Sequence, residues 1–553
     1  MKTEFFRKWH NFLAVAIIAL LGITIYSNSL SAQFTFDDTV FIRDNAYIRD
    51  IRNLSNLWNF SPPRFISFLT FAINYHFSQL QVFGFHAVNI LIHLGSAVLV
   101  FWFMLLTFSS PALKGDNMEK YSRPLALLVA LVFLTHPLQT ESVTYIYQRV
   151  TSLAGFFYIL SLSLYAKSRL LRLNSPSPPT GWIWFYLSSL VIGVVAMFTK
   201  ENTATLPLMI ILYEACFFGN KNHSLRKYAA PFLFLLLIIP IALFFSHAMW
   251  KVDIQRLVSH PVAGWRYFLT QSRVMLTYMR LLFFPLNQNV DYDYSMSRTL
   301  LEMPVLISSL AILVTIFMAV KAFSRYRLIS FAIFWFFISL LTESSIIPIA
   351  DVIFEHRLYL PMVGYAIFLI GIIYYFIGQK NHRMLLIILL PLIAGYSLLT
   401  YKRNFVWQNE LTLWSDAARK SPNKARPFYN LGNAYADNGN NQEAEKAFLR
   451  AYQLNPDIEN ANNLAAIYAD QGRVDEAISM WATIVRQSPG FVTAHFNLSV
   501  FYYKQGKYDL AIRHCDKLIE LGNMVDPNFL KLLQPYRKKW PTTPRLQRNR
   551  LYP

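Results

Sequence analysis

Long apolar runs fill residues 12 to 401 of this 553-residue chain and then stop, and that pattern constrains the fold more than any single motif. Eleven runs are found near residues 12–27, 84–107, 123–136, 142–165, 182–199, 202–218, 229–247, 303–320, 329–348, 358–378 and 384–400. A helix needs roughly 17–25 apolar residues to cross the hydrocarbon core of a bilayer. Lipid supplies no hydrogen bonds to the backbone, so segments of this kind must be helical. Charged residues make up only 15% of the chain and hydrophobic residues 54%, whereas soluble domains carry about a quarter charged residues. The chain therefore reads as an all-α, polytopic membrane protein with about eleven spans.

A twelfth stretch, Trp265 to Pro285, carries Arg266, Arg273 and Arg280 every seven residues and so along one helical face. A helix with a cationic stripe belongs at an interface or against protein rather than across lipid. The distribution of basic residues agrees. With eleven spans, 17 of the 51 Lys and Arg fall in segments on the side of the N-terminus, among them the clusters around Lys2, Lys114, Arg169, Arg226, Lys321 and Arg383. A twelfth span would export the cluster at Lys321, Arg325 and Arg327 and break the positive-inside bias. The net charge of +20 is thus a topology signal, and no nucleic-acid partner is expected. The expected arrangement is an uncleaved first span, a cytoplasmic N-terminus, and the loop of Asp37 and Asp38 on the outer side with everything after Tyr401. Two cysteines, Cys216 and Cys515, imply no disulfide framework.

Beyond residue 404 the composition turns polar and a 34-residue period sets in. Phe428, Leu431, Gly432, Tyr435, Gly439, Ala444, Phe448, Ala451 and Pro456 occupy the offsets of a tetratricopeptide repeat. Leu464, Ala465, Tyr468, Gly472, Ala477, Trp481 and Pro489 repeat the pattern, and Leu498, Tyr502, Gly506, Ala511 and Cys515 give a third unit. Trp414, Ala417 and Pro422 fit half of an earlier repeat. The expected domains are a membrane domain over 1–404, a half-repeat linker over 405–424, about three repeats over 425–525, and a capping helix with a basic tail over 526–553. Such repeats stack into an α-solenoid with a concave groove that suits a polypeptide, although a structural cap or an oligomerisation module would use the same pattern.

With sides assigned, ionisable residues gather on the outer face: Asp37 and Asp38, His136 and Glu141 in HPLQTE, Lys200 and Glu201 in FTKENT, and Asp351, Glu355, His356 and Arg357 in IADVIFEHRLYLP. Each group alone has an ordinary reading as a hydrated turn or a helix-end ion pair. Charge at the edge of hydrocarbon is costly, and its convergence from four connections points to a site. Within spans, His86, Asn89 and His93 share a helical face, and either interhelical hydrogen bonding or ligand contact would account for them. Arg149 needs a partner, with Glu141 as counter-ion or an anion in a shared cavity. Arg273 and its stripe could meet lipid phosphate. Acids beside cations at the outer face suit glycosyl transfer from a lipid phosphate. A carboxylate would take the proton of an acceptor hydroxyl while Arg, Lys or His neutralises the departing phosphate.

The strings FDDTVFIRDN, RFISFLTFAINYHF, GFHAVNILIHL, HPLQTESVTYIYQRVTSLAG, FTKENT and EHRLYLPMVGY, followed by the repeats, resemble the transmembrane and tetratricopeptide-repeat O-mannosyltransferases and their bacterial relatives, of the C-type (GT-C) glycosyltransferase superfamily. The resemblance runs from about Asn28 to Gly522. It implies a GT-C fold and a polyprenyl-phosphate monosaccharide as lipid-linked donor, with inverting transfer to Ser or Thr hydroxyls of a polypeptide held by the repeats. Asp37 or Asp38 would be the base, with Asp37 preferred. Arg149, Lys200, Glu201, His356 and Arg357 would line the donor phosphate or acceptor pocket, with Glu141, His86, His93 and Arg273 as further candidates. Metal dependence varies in the superfamily, and none is favoured here. The short repeat array, the short basic loops and the terminal RNRLYP favour a bacterial or archaeal plasma membrane, with the site on the periplasmic or extracellular side. Phe34, Phe36 and Phe41 are expected to dock the acidic loop at the interface. Transfer to a lipid or envelope glycan, and a non-catalytic membrane scaffold, are the alternatives.

Overall fold

The computed structural model describes residues 2–173, 180–219, 225–238, 240–241, 261–344, 348–349, 351–379 and 381–537, and among them there are helices and turns but no strand. The chain divides into two compact units, Met1–Leu413 and Trp414–Pro553.

The first unit holds α1 (Lys2–Tyr26), α2 (Phe65–Ser78), α3 (Val82–Phe108), α4 (Ser122–Thr135), α5 (Arg149–Leu173), α6 (Gly181–Met197), α7 (Leu206–Phe217), α8 (Pro261–Phe283), α9 (Met303–Ala322), α10 (Arg327–Leu340), α11 (Pro361–Ile373) and α12 (His382–Asn404). Among the described residues six helical stretches are long and apolar enough to cross a membrane: Trp9–Ser29, Val82–Phe108, Ile146–Leu173, Met303–Ala322, Pro361–Gly378 and Arg383–Trp407. The pair Ser122–Thr135 and Pro137–Val143, bent by 52°, brings the number to seven, and Gly181–Met197, Lys227–Leu237 and Arg327–Leu340 are shorter apolar helices. The protein is an integral membrane protein. Each expected run coincides with helix, in whole or in part, and the run near 229–247 extends outside the described residues. α4, α6 and α10 end in turns that carry His136, Lys200 and Glu343, and irregular backbone at membrane depth survives only inside protein. The arginine-bearing stretch forms α8, which is not among the crossing candidates.

α5 lies at the centre, packed on α3 and α6, while α10 packs on α11. Close approach depends on small residues: a Cβ on Gly155 of α5 would lie 2.7 Å from the Tyr359 ring, and one on Gly364 of α11 2.7 Å from the Ala332 carbonyl. Arg169, which follows the expected run 142–165, lies in the C-terminal part of α5. Its Nη2 donates to Glu214 Oε1 of α7 at 2.7 Å, with both side chains at most 4% exposed, and the Tyr165 hydroxyl donates to the other carboxylate oxygen at 2.7 Å. The stretch between the first two runs, which has no apolar run long enough to span, contains α2.

α13 (Glu410–Lys420) leads out of the first unit. The second contains α14 (Ala425–Asp437), α15 (Asn441–Leu454), α16 (Ile458–Asp470), α17 (Val474–Gln487), α18 (Val492–Lys504), α19 (Tyr508–Glu520) and α20 (Pro527–Arg537). α14 pairs with α15, α16 with α17 and α18 with α19. Gly432 is needed where α14 meets α15, because a Cβ there would be 2.7 Å from the Phe448 ring. Gly439 and Gly472 turn the chain at φ of 73° and 83°, which side chains disfavour. Trp481 fills the second pair and donates its Nε1–H to Asn462 Oδ1 at 3.1 Å. The basic tail after Arg537 lies outside the described residues.

Candidate active site

The acidic loop is held as a compact turn rather than left in water. Asp38 is buried, and its carboxylate accepts the backbone N–H of Thr35 at 3.1 Å and that of Tyr147 at 2.6 Å. Burial pushes its carboxyl well above the ordinary value, against the downward pull of those two bonds. Asp37 is half-buried, and its backbone N–H donates to the Tyr145 hydroxyl at 3.2 Å. Burial, with Asp37 and Asp38 alongside, holds the Tyr145 phenol well above its usual range, so it remains protonated. The residue before Asp37, Phe36, has φ of 55°, a left-handed conformation that is uncommon for a side chain of this size. Its N–H donates to Glu410 Oε1 at 2.7 Å. The three phenylalanines of the loop are half-buried and have aromatic partners: Phe34 packs against Phe85, Phe36 against Tyr145, and Phe41 stacks on Tyr147 at 4.5 Å. Burying flat rings against aromatic partners is the favourable course once the loop folds inward.

Tyr147 connects this loop to the cations. While its N–H holds Asp38, its hydroxyl accepts from Arg64 Nη1 at 2.9 Å. Arg64 in turn forks onto Glu201, with Nε–Oε1 at 3.0 Å and Nη2–Oε2 at 3.1 Å. The Arg64 and Glu201 side chains are 30% and 41% exposed, so a ligand can reach them. Glu201 keeps its carboxyl below the ordinary range: burial raises it, but the Arg64 guanidinium outweighs burial. Next to it Lys200 is buried, with Nζ donating to Thr151 Oγ1 at 2.8 Å and lying 3.2 Å from Glu343 Oε1. Burial pulls that ammonium below its ordinary value. Glu343 Oε2 is buried without a hydrogen-bond partner. Arg357 donates to the carbonyls of Val352 at 3.0 Å and Asp351 at 2.7 Å.

The remaining expected residues separate. Glu141 Oε1 lies 2.7 Å from His356 Nδ1, and its other oxygen accepts the Glu355 N–H at 3.1 Å. Burial drives the His356 imidazole well below its ordinary value. Glu355 accepts from Gln288 Nε2 at 2.8 Å, Asn289 N at 2.6 Å and the Tyr292 hydroxyl at 2.5 Å. Arg149 is not paired with Glu141. Its guanidinium is spent on Asn89 Oδ1 and Asn74 Oδ1, each at 2.7 Å, and on the carbonyls of Phe85 and Thr70. It thereby clamps α2 and α3 to the start of α5. His93 bonds the Tyr359 hydroxyl and the Leu134 carbonyl, and His86 bonds the Ala32 carbonyl, leaving Nδ1 buried without a partner. Arg273 lies apart. It donates to Ser295 O and Ser297 Oγ on the rim of a cavity of about 450 Å³ shared with Arg280, Tyr294 and Ile307. Among the described residues no group of three or more His, Cys, Asp or Glu could hold a metal ion.

Arg64, Tyr145, Tyr147, Glu343 and Glu410 are the members that sequence reasoning passed over. Glu343 carried a readable signal, a lone acid at the end of an apolar run. Arg64 and the tyrosines carried none, since pairing across 137 residues has no local mark.

Tetratricopeptide-repeat models match residues 425–458 and 462–523. Over 573 residues the chain is 24% identical to protein O-mannosyl-transferase TMTC3 of Homo sapiens, covering 94% of this chain and 59% of that protein. It is 25% identical to human protein O-mannosyl-transferase TMTC4, over 78% of this chain and 65% of the other. A protein O-mannosyl-transferase of Caenorhabditis elegans is 26% identical over 80% of this chain and 63% of its own length. The chain is similar to the protein O-mannosyl-transferases. It spans about six tenths of the length of these relatives. Among solved structures, that of ArnT from Cupriavidus metallidurans bound to undecaprenyl phosphate aligns with a TM-score of 0.40 at 14% identity, over 87% of this chain and 80% of that one.

Proposed function

We propose that this protein is a membrane glycosyltransferase of the GT-C type that moves one monosaccharide from a polyprenyl phosphate to Ser or Thr hydroxyls of exported polypeptides. The observation that carries the reading is the meeting, around Tyr147, of the acidic loop with a reachable Arg64–Glu201 pair and with Lys200 beyond it. The similarity to protein O-mannosyl-transferases supports the sugar-transfer class. Asp37 is the better base because the residue is half-buried beside the Tyr145 hydroxyl, whereas Asp38, despite its raised proton affinity, is buried and committed to two N–H groups. Asp37 takes the proton as the acceptor oxygen attacks the anomeric carbon. The sugar–phosphate bond breaks on the opposite face, with inversion, and Arg64 and Lys200 balance charge growing on the leaving phosphate. Glu201, Glu343 and the Glu141–His356 pair hold those cations and the surrounding turns. The carrier's isoprenoid chain explains why the site lies at the edge of the bilayer, on the outer side, with the repeats there to hold the acceptor.

In a strain relying on Asp37→Asn protein, exported glycoproteins are expected to lose one monosaccharide mass by intact-mass measurement, as in a deletion strain. Unchanged masses would refute Asp37 as the base, and unchanged masses in both Asp37→Asn and Asp38→Asn would refute the enzyme reading.

A further inference from the structure

Phe36 occupies a conformation that needs an outside support, and that support comes from the other end of the membrane unit. The segment leaving α12 is tied to the acidic loop at successive points. Asn404 Nδ2 donates to Asn28 Oδ1 at 2.9 Å, Gln408 Nε2 to the Asn28 carbonyl at 2.6 Å, and Gln33 N–H to the Gln408 carbonyl at 2.8 Å. The same segment grips the opposite wall of the site: Asn404 Oδ1 accepts from Thr144 Oγ1 at 2.8 Å, and Trp407 stacks on Tyr145 at 5.0 Å. Glu410 is the last of these ties, and its carboxylate accepts the N–H of the left-handed Phe36 at 2.7 Å. An acid at the first residue of α13 would be favoured there by the helix dipole alone. The oxygen directed onto Phe36 N–H does more: it fixes a charge-assisted bond to the peptide that sets the direction of Asp37.

We propose that Glu410 is a positioning residue for transfer, holding Phe36 left-handed so that Asp37 is aimed at the acceptor hydroxyl. This rests on the reading of Asp37 as the base. Phe36 strained beside a catalytic carboxylate fits the tendency of such conformations to cluster at functional sites.

The test uses full-length, detergent-purified protein with a short-chain polyprenyl-phosphate mannose and a Ser/Thr-containing peptide. Glu410→Ala is expected to lower kcat about 10- to 100-fold with the peptide KM nearly unchanged, the scale of a small misalignment. Glu410→Gln, which keeps an acceptor oxygen, should retain most of kcat. Hydrogen exchange of residues 35–38 should accelerate about tenfold in Glu410→Ala. Asn tolerates the left-handed region better than Phe, so Glu410→Ala should cost less than about threefold in kcat in a Phe36→Asn background. An equal loss in both backgrounds, a rise in KM alone, or unchanged exchange at 35–38 would overturn the proposal. If Asp37→Asn still turns over, the base reading falls by itself, and exchange then decides whether Glu410 braces the loop.

Discussion

At the residue scale, two adjacent acids have unlike surroundings. Asp38 is consumed by the fold, its two oxygens closing the turn at Thr35 and pinning Tyr147, while Asp37 is half-buried beside the Tyr145 hydroxyl. Glu201 has the opposite electrostatic setting to Asp38: Arg64 holds it below its ordinary value of 4.5. A carboxyl depressed in the folded state contributes stability that is fully present above its unfolded value and is lost as pH falls through its folded one. The thermal midpoint of purified wild type should therefore exceed that of Glu201→Gln at neutral pH, and the gap should close as the pH drops below about 4.5. The pair is partly solvated, so the gap should correspond to no more than about 1 kcal/mol. A gap that widens with acid would refute this account.

At the element scale, what could be read from sequence and what could not differ in a consistent way. The spans were legible because hydropathy is local, and the repeats because Leu431, Tyr435 and Gly439 recur as Leu464, Tyr468 and Gly472 and again as Leu498, Tyr502 and Gly506. The partnerships were not. Arg149 looked like an anion ligand or a partner for Glu141, yet Asn74 and Asn89 absorb it, since neutral amides leave no charge pattern to read. Arg169 looked like a loop charge because Glu214 lies 45 residues away on α7. This buried pair yields a prediction. Removing one partner leaves an uncompensated charge, so Arg169→Met or Glu214→Ala alone should destabilise by about 3–5 kcal/mol. Arg169→Met with Glu214→Leu should regain most of that, because well-packed apolar substitutes for buried pairs are often tolerated. Thermal unfolding of the three variants in one detergent tests it, and a double mutant as unstable as the sum of the singles would disprove it.

At the scale of the whole molecule, the chain joins a membrane unit that carries the acids and cations to a unit of paired helices. Asn430, Asn463 and Asn497 recur at the same place in α14, α16 and α18, all half-buried, with Asn463 Nδ2 donating to Asn433 Oδ1 at 3.0 Å. If the repeats hold the acceptor, replacing all three with Ala should leave transfer to a short peptide unchanged and reduce modification of full-length exported proteins several-fold. Equal loss on both acceptors would instead assign the repeats to the stability of the enzyme. The ties from Asn404 to Glu410 also bear on synthesis. Phe36 and the oxygen that braces it are 374 residues apart. Ribosomes add about 5–20 residues per second, so the loop waits on the order of half a minute before its brace exists. Until the last span has emerged the chain has its acids but not the carboxylate that braces the peptide before them, so a truncated or half-inserted product reaches the membrane with the acidic loop unsupported.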